Sequence, residues 1–203
     1  MRLMPKLIIL TGVDGAGKTT LAHWLADELT ATGTPARYFK NAAGRRIVNR
    51  VAQRLGLRDG GRLLGRHGRV VAETLCRWVT IARAILLTVV TRRTAVMDRY
   101  TYCQYAMIRA RGDRGERIAR ALYTTFPRPD ITFYLAVPAQ EAARRVEARG
   151  RDLEDPAHLA AYDDAYRALS EFDDFVVIDA SAPQHLVARA LREHLDSTHQ
   201  GQA

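Results

Sequence analysis

Two short patterns in this 203-residue chain carry residue types that can do chemistry. The first, Gly12-Val13-Asp14-Gly15-Ala16-Gly17-Lys18-Thr19, fits G-x-x-x-x-G-K-[ST]. Glycines let a backbone curl until successive N–H groups point inward, and a helix starting at its far end adds a positive dipole terminus, so the curl holds a phosphate chain. Lys18 is spaced to reach the terminal phosphates and the Thr19 hydroxyl to bind Mg²⁺. Gly12, Asp14, Gly15, Ala16, Gly17, Lys18, Thr19 and Thr20 are therefore the expected nucleotide site. The second pattern is Asp98, which closes the apolar run Ala95-Val96-Met97. A carboxylate at the end of a neighbouring strand is what a magnesium–triphosphate complex needs through water. A helix cap for the segment from Tyr100 is the other reading of that aspartate.

A phosphate curl works only between a strand and a helix, and the chain supplies both. Leu7 to Leu10 is an apolar run directly before the loop, and "LAHWLADEL" after it has helical periodicity. Elsewhere short apolar or β-branched runs alternate with helix-length segments, the pattern of βαβ units and a mainly parallel sheet. Strands are expected near Leu7 to Thr11, Ala36 to Phe39, Thr94 to Met97, Ile131 to Ala136 and Phe175 to Ile178. Helices are expected near Lys18 to Ala31, Gly44 to Leu55, Val70 to Thr91, Tyr102 to Arg111, Glu116 to Phe126, Ala139 to Ala148, Ala157 to Ser170 and Gln184 to Leu195. Pro35, Pro127, Pro138, Gly150, Pro156 and Pro183 all fall between these elements, where a fixed φ or a missing N–H does least harm. The reading is one domain over residues 1–203, with a polar, frayed tail after Asp196.

Composition narrows the setting. A chain that is 47% hydrophobic at this length builds one buried core. "AILLTVV" (Ala84 to Val90) lies between Arg83 and Arg92-Arg93 and is short of the roughly 20 residues of a membrane span, so a buried helix is expected there and no membrane partner. No export segment is apparent. Cys76 and Cys103 are too few for a disulfide framework and lack metal-ligand spacing, which fits a reducing cytoplasm. Between Glu28 and Glu73 stand nine arginines and Lys40 against Asp59 alone, a block of +9 equal to the net charge of the whole chain. Such a block suits a polyanion or, equally, a solvated face in a chain where 28 of 31 basic residues are arginine.

"GVDGAGKTT", then "DRY" at Asp98-Arg99-Tyr100, then "PDITFYLAVP" from Pro129 to Pro138, resembles the thymidylate kinase family of P-loop nucleoside-monophosphate kinases. "EARG" (Glu147 to Gly150) with Glu154 looks like that family's lid, "YDDAYRAL" like its following helix, and "VVIDASAPQHL" like its last strand and adenine-side loop. The resemblance implies a P-loop NTPase fold, an α/β/α three-layer domain with a five-stranded parallel sheet and a short lid near residues 144–156. It also implies ATP, Mg²⁺ and γ-phosphoryl transfer to a small-molecule acceptor, a nucleoside monophosphate. Lys18 would hold the donor, Arg99 the acceptor's phosphate, and Asp14 would lie between acceptor sugar and metal. Arg77 in "LCRW" matches an arginine that faces the acceptor base; in so arginine-rich a chain it also reads as a surface residue. Phosphoryl transfer needs positioning and charge neutralisation more than covalent chemistry. With no arginine in the loop itself, Arg144, Arg145, Arg149 and Arg151 of the lid are the expected source of transition-state charge, Arg145 and Arg149 sharing one helical face. Homodimers are common in the family, and "WVTIARAILLTVV" is compatible with one.

Departures from the family pattern fall at the acceptor end. After the second strand the family carries a Pro and an Arg, as in "FPER" or "REPGG"; here the chain reads "FKNAAGRR", leaving Lys40, Arg45 or Arg46 to substitute. A lysine is a point charge without the planar fork of arginine. Arg46, Arg50, Arg54 and Arg58 form one helical stripe, read as solvated. Glu73 stands where the family stacks a Phe on thymine, placing a charge beside the base. After "DRY" come Cys103, Gln104 and Met107, of which Gln104 can hydrogen-bond a base edge while flexible Met107 leaves the sugar preference open. The expected activity is phosphorylation of dTMP or a related pyrimidine deoxynucleotide. A kinase for another small molecule, a nucleoside or natural product, is the alternative. A nucleic-acid-binding NTPase is a third reading, disfavoured because the basic block has just one aromatic pair, Tyr38-Phe39, and no interleaved stacking platforms.

Overall fold

The computed structural model describes residues 7–41, 60–150 and 154–200. Five strands, β1 (Leu7–Thr11), β2 (Ala36–Lys40), β3 (Thr94–Asp98), β4 (Ile131–Ala136) and β5 (Val176–Asp179), form one sheet in the order β2-β3-β1-β4-β5. Every pairing is parallel. The intervening helices are α1 (Lys18–Ala31), α2 (Gly60–Thr91), α3 (Tyr102–Ala110), α4 (Glu116–Tyr123), α5 (Ala139–Glu147), α6 (Pro156–Arg167) and α7 (Gln184–Gln200).

A parallel sheet covered on both faces buries whole strands, and the central strand shows why this sequence chooses it. All five residues of β1 are buried. Side chains alternate across a strand, so Ile8 and Leu10 join one core with Leu21, Leu25, Phe133, Leu135 and Leu191, while Leu7 and Ile9 join the other with Ile81, Ala84, Ala95 and Met97. The result is helices on both faces of a sheet, the α/β/α arrangement expected. Local signals set the registers. Asp130, of the "PD" before β4, accepts a bond from the Leu7 amide at 2.8 Å and donates its own to the Leu7 carbonyl at 3.0 Å, tying the entries of β4 and β1 together. Asp155 caps α6 by accepting from the Ala157 amide at 2.9 Å, with Pro156 in the first turn, where a missing N–H costs nothing.

Four features differ from the sequence reading. Helix α2 runs from Gly60, with a non-helical break at Gly65, and not from Val70. Helix α7 continues to Gln200, past the point where a frayed tail was expected. Strand β5 is shifted by one residue, because Phe175 follows a short 3-10 turn (Phe172–Asp174) and drops into the core before the strand begins. The fourth difference is the face of α2. "AILLTVV" does not form a buried helix: Ile81 and Ala84 point inward, but Leu86, Val89 and Val90 are exposed by 62%, 67% and 70%. Val71, Leu75 and Val79 continue the outward stripe. A helix packed on one side of a sheet can bury only one stripe, and this one carries two. By length and composition the Gly68–Thr91 portion is also apolar enough to cross a membrane, with a mean hydropathy of 1.5, but its inner face carries Glu73 and Arg77 into the fold. The expected helix over residues 44–55 and its arginine stripe lie outside the described residues.

Candidate active site

The carboxyl ends of β1, β3 and β4 adjoin one another, and in open α/β sheets a ligand crevice opens at that edge where the strand order reverses. The loop from Gly12 to Gly17 leaves the central strand there. Two of its glycines are required. At Gly12 a Cβ would come within 2.7 Å of the Leu135 carbonyl oxygen, and at Gly15 within 2.3 Å of the Ala142 carbonyl oxygen, with φ of +133° and +92°. The curl is thus pressed against β4 and α5, leaving its inner side to a ligand. Lys18 begins α1 and is buried; its ammonium donates to the Val13 carbonyl at 2.5 Å and lies 3.7 Å from Asp14. Burial, reinforced by Arg99, lowers its pKa, while Asp14 and Asp98 partly oppose the shift. An incoming phosphate supplies the counter-charge this ammonium lacks.

Thr19 and Asp98 meet beside the loop. The Thr19 hydroxyl donates to Asp98 Oδ2 at 2.5 Å, with the Tyr38 hydroxyl 3.5 Å from the same oxygen. Burial first, then Asp98, pushes the Tyr38 phenol up to about 12, so it remains a donor. Asp98 Oδ1 is buried and has no hydrogen-bond partner among the described residues. Two hard oxygens from a hydroxyl and a carboxylate suit Mg²⁺, which takes one or two protein ligands and completes its shell with water and phosphate oxygens. The same aspartate therefore fits an ion held through these two residues, and an orphaned buried oxygen is what such a site leaves behind.

Arg99 follows directly. It adopts a left-handed backbone, φ +77°, unusual for a residue with a side chain. Its guanidinium forms an ion pair with Asp14 across the loop. Although burial acts against the charged form, Asp14 holds the Arg99 pKa well above the ordinary arginine value.

Deeper in, α2 and α3 bring together three of the predicted acceptor residues. Arg77 is fully buried, which excludes the surface reading; Nε donates to Gln104 Oε1 at 3.4 Å and Nη1 to the Asn41 carbonyl at 3.1 Å. Arg77 Nη2, Gln104 Nε2 and Asn41 Oδ1 are buried with no partner among the described residues. Met107 is buried on the same helix as Gln104. Glu73, one turn before Arg77, is also buried, but its carboxylate accepts from Arg111 Nη1 at 2.9 and 3.2 Å. The expected lone charge beside the base is thus half of an ion pair. Arg111 lies 38 residues away in sequence, and no local spacing announces it. Lys40 is exposed at the end of β2, and Arg45 lies outside the described residues.

On the opposite side of the loop is a cavity of about 380 Å³, lined by Gly15, Gly17, Thr20, Arg145, Arg149 and Ser181 among others. Arg145 is tied down: Nε donates to Glu141 at 2.9 Å, Nη1 to the Ala180 carbonyl at 2.8 Å and Nη2 to the Ser181 carbonyl at 3.2 Å. Arg149, one turn further, is exposed at the cavity rim. A cavity on the β4–β5 side and a buried polar cluster around Arg77 and Gln104 on the β2–β3 side thus flank the glycine curl, with Lys18, Arg99 and the Thr19–Asp98 pair between them. Asn41, which the sequence reading passed over, joins the acceptor side to β3.

Comparison with known proteins points the same way. A family model described as thymidylate kinase matches residues 10–191. The chain is 29% identical over 195 residues to a thymidylate kinase of Pseudomonas fluorescens (strain SBW25), covering 91% of each chain. It is 27% identical to a probable thymidylate kinase of Archaeoglobus fulgidus, covering 94% of this chain and 95% of that one. Identity is 31% to a thymidylate kinase of Xanthomonas euvesicatoria pv. vesicatoria, over 90% of this chain and 80% of the relative.

Proposed function

Since the chain belongs to the thymidylate kinase family, we propose that it transfers the γ-phosphoryl group of ATP to a nucleoside monophosphate, dTMP or a closely related pyrimidine deoxynucleotide. The observation that carries the reading is the two-sided cleft: a glycine curl with Lys18 at its centre, a cavity of about 380 Å³ on one side and the buried Arg77–Gln104 pair on the other.

The geometry supports the following roles. Loop amides and Lys18 grip the donor phosphates. Arg99 holds the acceptor phosphate, its direction set by Asp14, so that the attacking and transferring groups are aligned before reaction; such alignment replaces a bimolecular search and accounts for much of the catalysis in phosphoryl transfer. Thr19 and Asp98 would hold Mg²⁺, which would supply neutralisation of charge on the phosphates. Arg77 Nη2 and Gln104 Nε2, both unspent donors, address carbonyl oxygens on the acceptor base, and Met107 packs beside the sugar. Glu73, neutralised by Arg111, forms a polar wall where an aromatic ring would otherwise stack. On the donor side Arg145 braces the Ala180–Ser181 loop against α5, and Arg149, one turn beyond it and exposed, is the arginine that can swing onto the transferring group. Lys40 adds positive charge at the end of β2.

The exposed stripe Val71, Leu75, Val79, Leu86, Val89 and Val90 has the length of an interface helix, and a homodimer through α2 would cover it. Sedimentation should give a dimer that Leu75→Arg with Val79→Arg converts to monomer; an unchanged sedimentation coefficient removes this interface. The reading places the protein in a reducing cytoplasm, which the free thiols of Cys76 and Cys103 support. The test of the function is ADP release from ATP and Mg²⁺ across a panel of nucleoside monophosphates. Turnover with at least one pyrimidine member is expected. A flat panel refutes the reading, and turnover only with an uncharged acceptor transfers it to a nucleoside or natural-product kinase.

A further inference from the structure

Asn41 follows directly after β2 and is 1% exposed. A polar side chain this deep is ordinarily held by hydrogen bonds. Its backbone N–H donates to the Asp98 carbonyl at 3.1 Å, extending the β2–β3 ladder by one bond. Nδ2 donates to the Arg99 carbonyl at 2.8 Å and also touches Met97 Sδ at 3.2 Å. The backbone carbonyl accepts from Arg77 Nη1 at 3.1 Å. One residue therefore holds the two buried arginines of the acceptor side, Arg77 through its main chain and Arg99 through its amide.

The hold on Arg99 falls where it has most effect. The left-handed backbone at Arg99 is unfavourable for any residue with a Cβ and persists only where neighbours over-determine it. Two bonds do so: the Arg99 N–H donates to the Leu10 carbonyl at 3.0 Å, and its carbonyl accepts from Asn41. Reversing φ at this residue would swing the side chain away from the phosphate loop and off Asp14. Without the amide of residue 41, the Leu10 bond and the Asp14 ion pair are what remain among the described residues to oppose that reversal. Oδ1 of Asn41 is buried without a hydrogen-bond partner among the described residues and takes no part in the clamp.

We infer that Asn41 is a positioning residue for phosphoryl transfer, fixing the strained Arg99 backbone so that its guanidinium meets the acceptor phosphate while its own carbonyl orients Arg77 toward the acceptor base. This deepens the kinase reading of the same cleft and rests on it for the kinetic consequence, though not for the structural one.

The test compares wild type, Asn41→Ala, Arg99→Ala and the double variant, measuring KM and kcat for dTMP and for ATP separately, alongside a crystal structure of Asn41→Ala. In that structure Arg99 should leave the left-handed region and lose its contact with Asp14. Acceptor kcat/KM should fall roughly ten- to a hundredfold, as for an active-site group displaced by about 1 Å, with the KM for ATP unchanged. In the Arg99→Ala background the Asn41 substitution should then add little, because it acts through the residue already removed. Asn41→Asp keeps the shape but removes the donor, and provides the same readings if the alanine variant does not fold. Arg99 unmoved at positive φ overturns the inference, as do equal losses for ATP and acceptor or additive losses in the double variant. If wild type turns over no nucleoside monophosphate, the kinase reading fails, while the Arg99 conformation in the variant crystal still decides the positioning claim alone.

Discussion

Gly15→Ala isolates the close fit between the phosphate loop and helix α5. A Cβ at that position would stand 2.3 Å from the Ala142 carbonyl oxygen and 2.9 Å from Ala142 Cα and its carbonyl carbon, where ordinary contact begins at 3.4 Å. The loop must therefore retreat by about 1 Å, since helix backbone at the buried Ala142 cannot give way as a flexible side chain does. The left-handed φ of +92° adds strain of about 1–2 kcal/mol for any residue but glycine. Overpacking adds about 1–3 kcal/mol, so the sum is a loss of about 2–5 kcal/mol of stability. For a chain of this size each kcal/mol lowers the melting temperature by about 2–4 °C, or about 4–20 °C in all. Gly33→Ala is the matched control: φ is +91°, yet nothing lies within 4 Å of the added Cβ, so the strain acts alone. It should cost about 1–2 kcal/mol and leave ATP binding untouched, whereas a loop displaced by about 1 Å should lose about a hundredfold in turnover. Calorimetric unfolding and ATP titration of both variants make the comparison. Equal melting temperatures and equal ATP affinity for the two would refute the argument that α5 sets the shape of the loop.

The Glu73–Arg111 pair has its carboxylate buried, so Arg111→Met should destabilise the protein by about 3–5 kcal/mol, and a second change, Glu73→Leu, should restore much of it; urea unfolding that finds the single variant as stable as wild type would show the pair to be inert. Lys18 provides a pH signature. Its pKa is lowered by burial in the folded chain from the ordinary 10.5, so between the lowered value and 10.5 the unfolded chain binds more protons and stability from this group rises with pH. Lys18→Met should therefore be relatively most stable near neutral pH, its stability compared with wild type declining as pH climbs toward about 10; a difference that stays constant with pH would show that the ammonium carries no burial penalty.

Much of this architecture is legible in the sequence because the signals are local. Strand β1 and helix α1 appear with the bounds the apolar run and the helical periodicity imply, since the glycine curl forces the strand to end and the helix to begin where they do. Five strands and their alternation with helices follow from the same kind of pattern. What local patterns cannot hold is pairing at a distance. Arg77 has no feature that separates a buried arginine from a solvated one, and its burial depends on Gln104 and Asn41, which the fold brings from α3 and the end of β2. Asn41 escaped notice because an asparagine after a strand ordinarily signals a turn; only the left-handed backbone at Arg99 shows what its amide is for. Helix α2 exposes a further limit: periodicity reveals that apolar stripes exist, not which one meets the sheet.

Charge gives the site its direction. Lys18, Arg77 and Arg99 are buried or nearly so, and among the described residues the carboxylates that act on the first and last of these are Asp14 and Asp98. The hydrogen-bond partners of Arg77 among the described residues are neutral, a carbonyl and an amide. Collecting cations in a desolvated cleft is unfavourable, and the lowered Lys18 pKa registers that cost, with burial as its first cause and Arg99 as its second. The phosphates of a donor and an acceptor would relieve it from both sides at once. Each ligand draws on the same positive potential, and stability should rise with their concentrations as mass action requires, by about 2.7 kcal/mol at a hundredfold excess over the dissociation constant. A cleft built this way is strained when empty and relaxed when it holds two anionic chains end to end, which is the arrangement an in-line phosphoryl transfer demands.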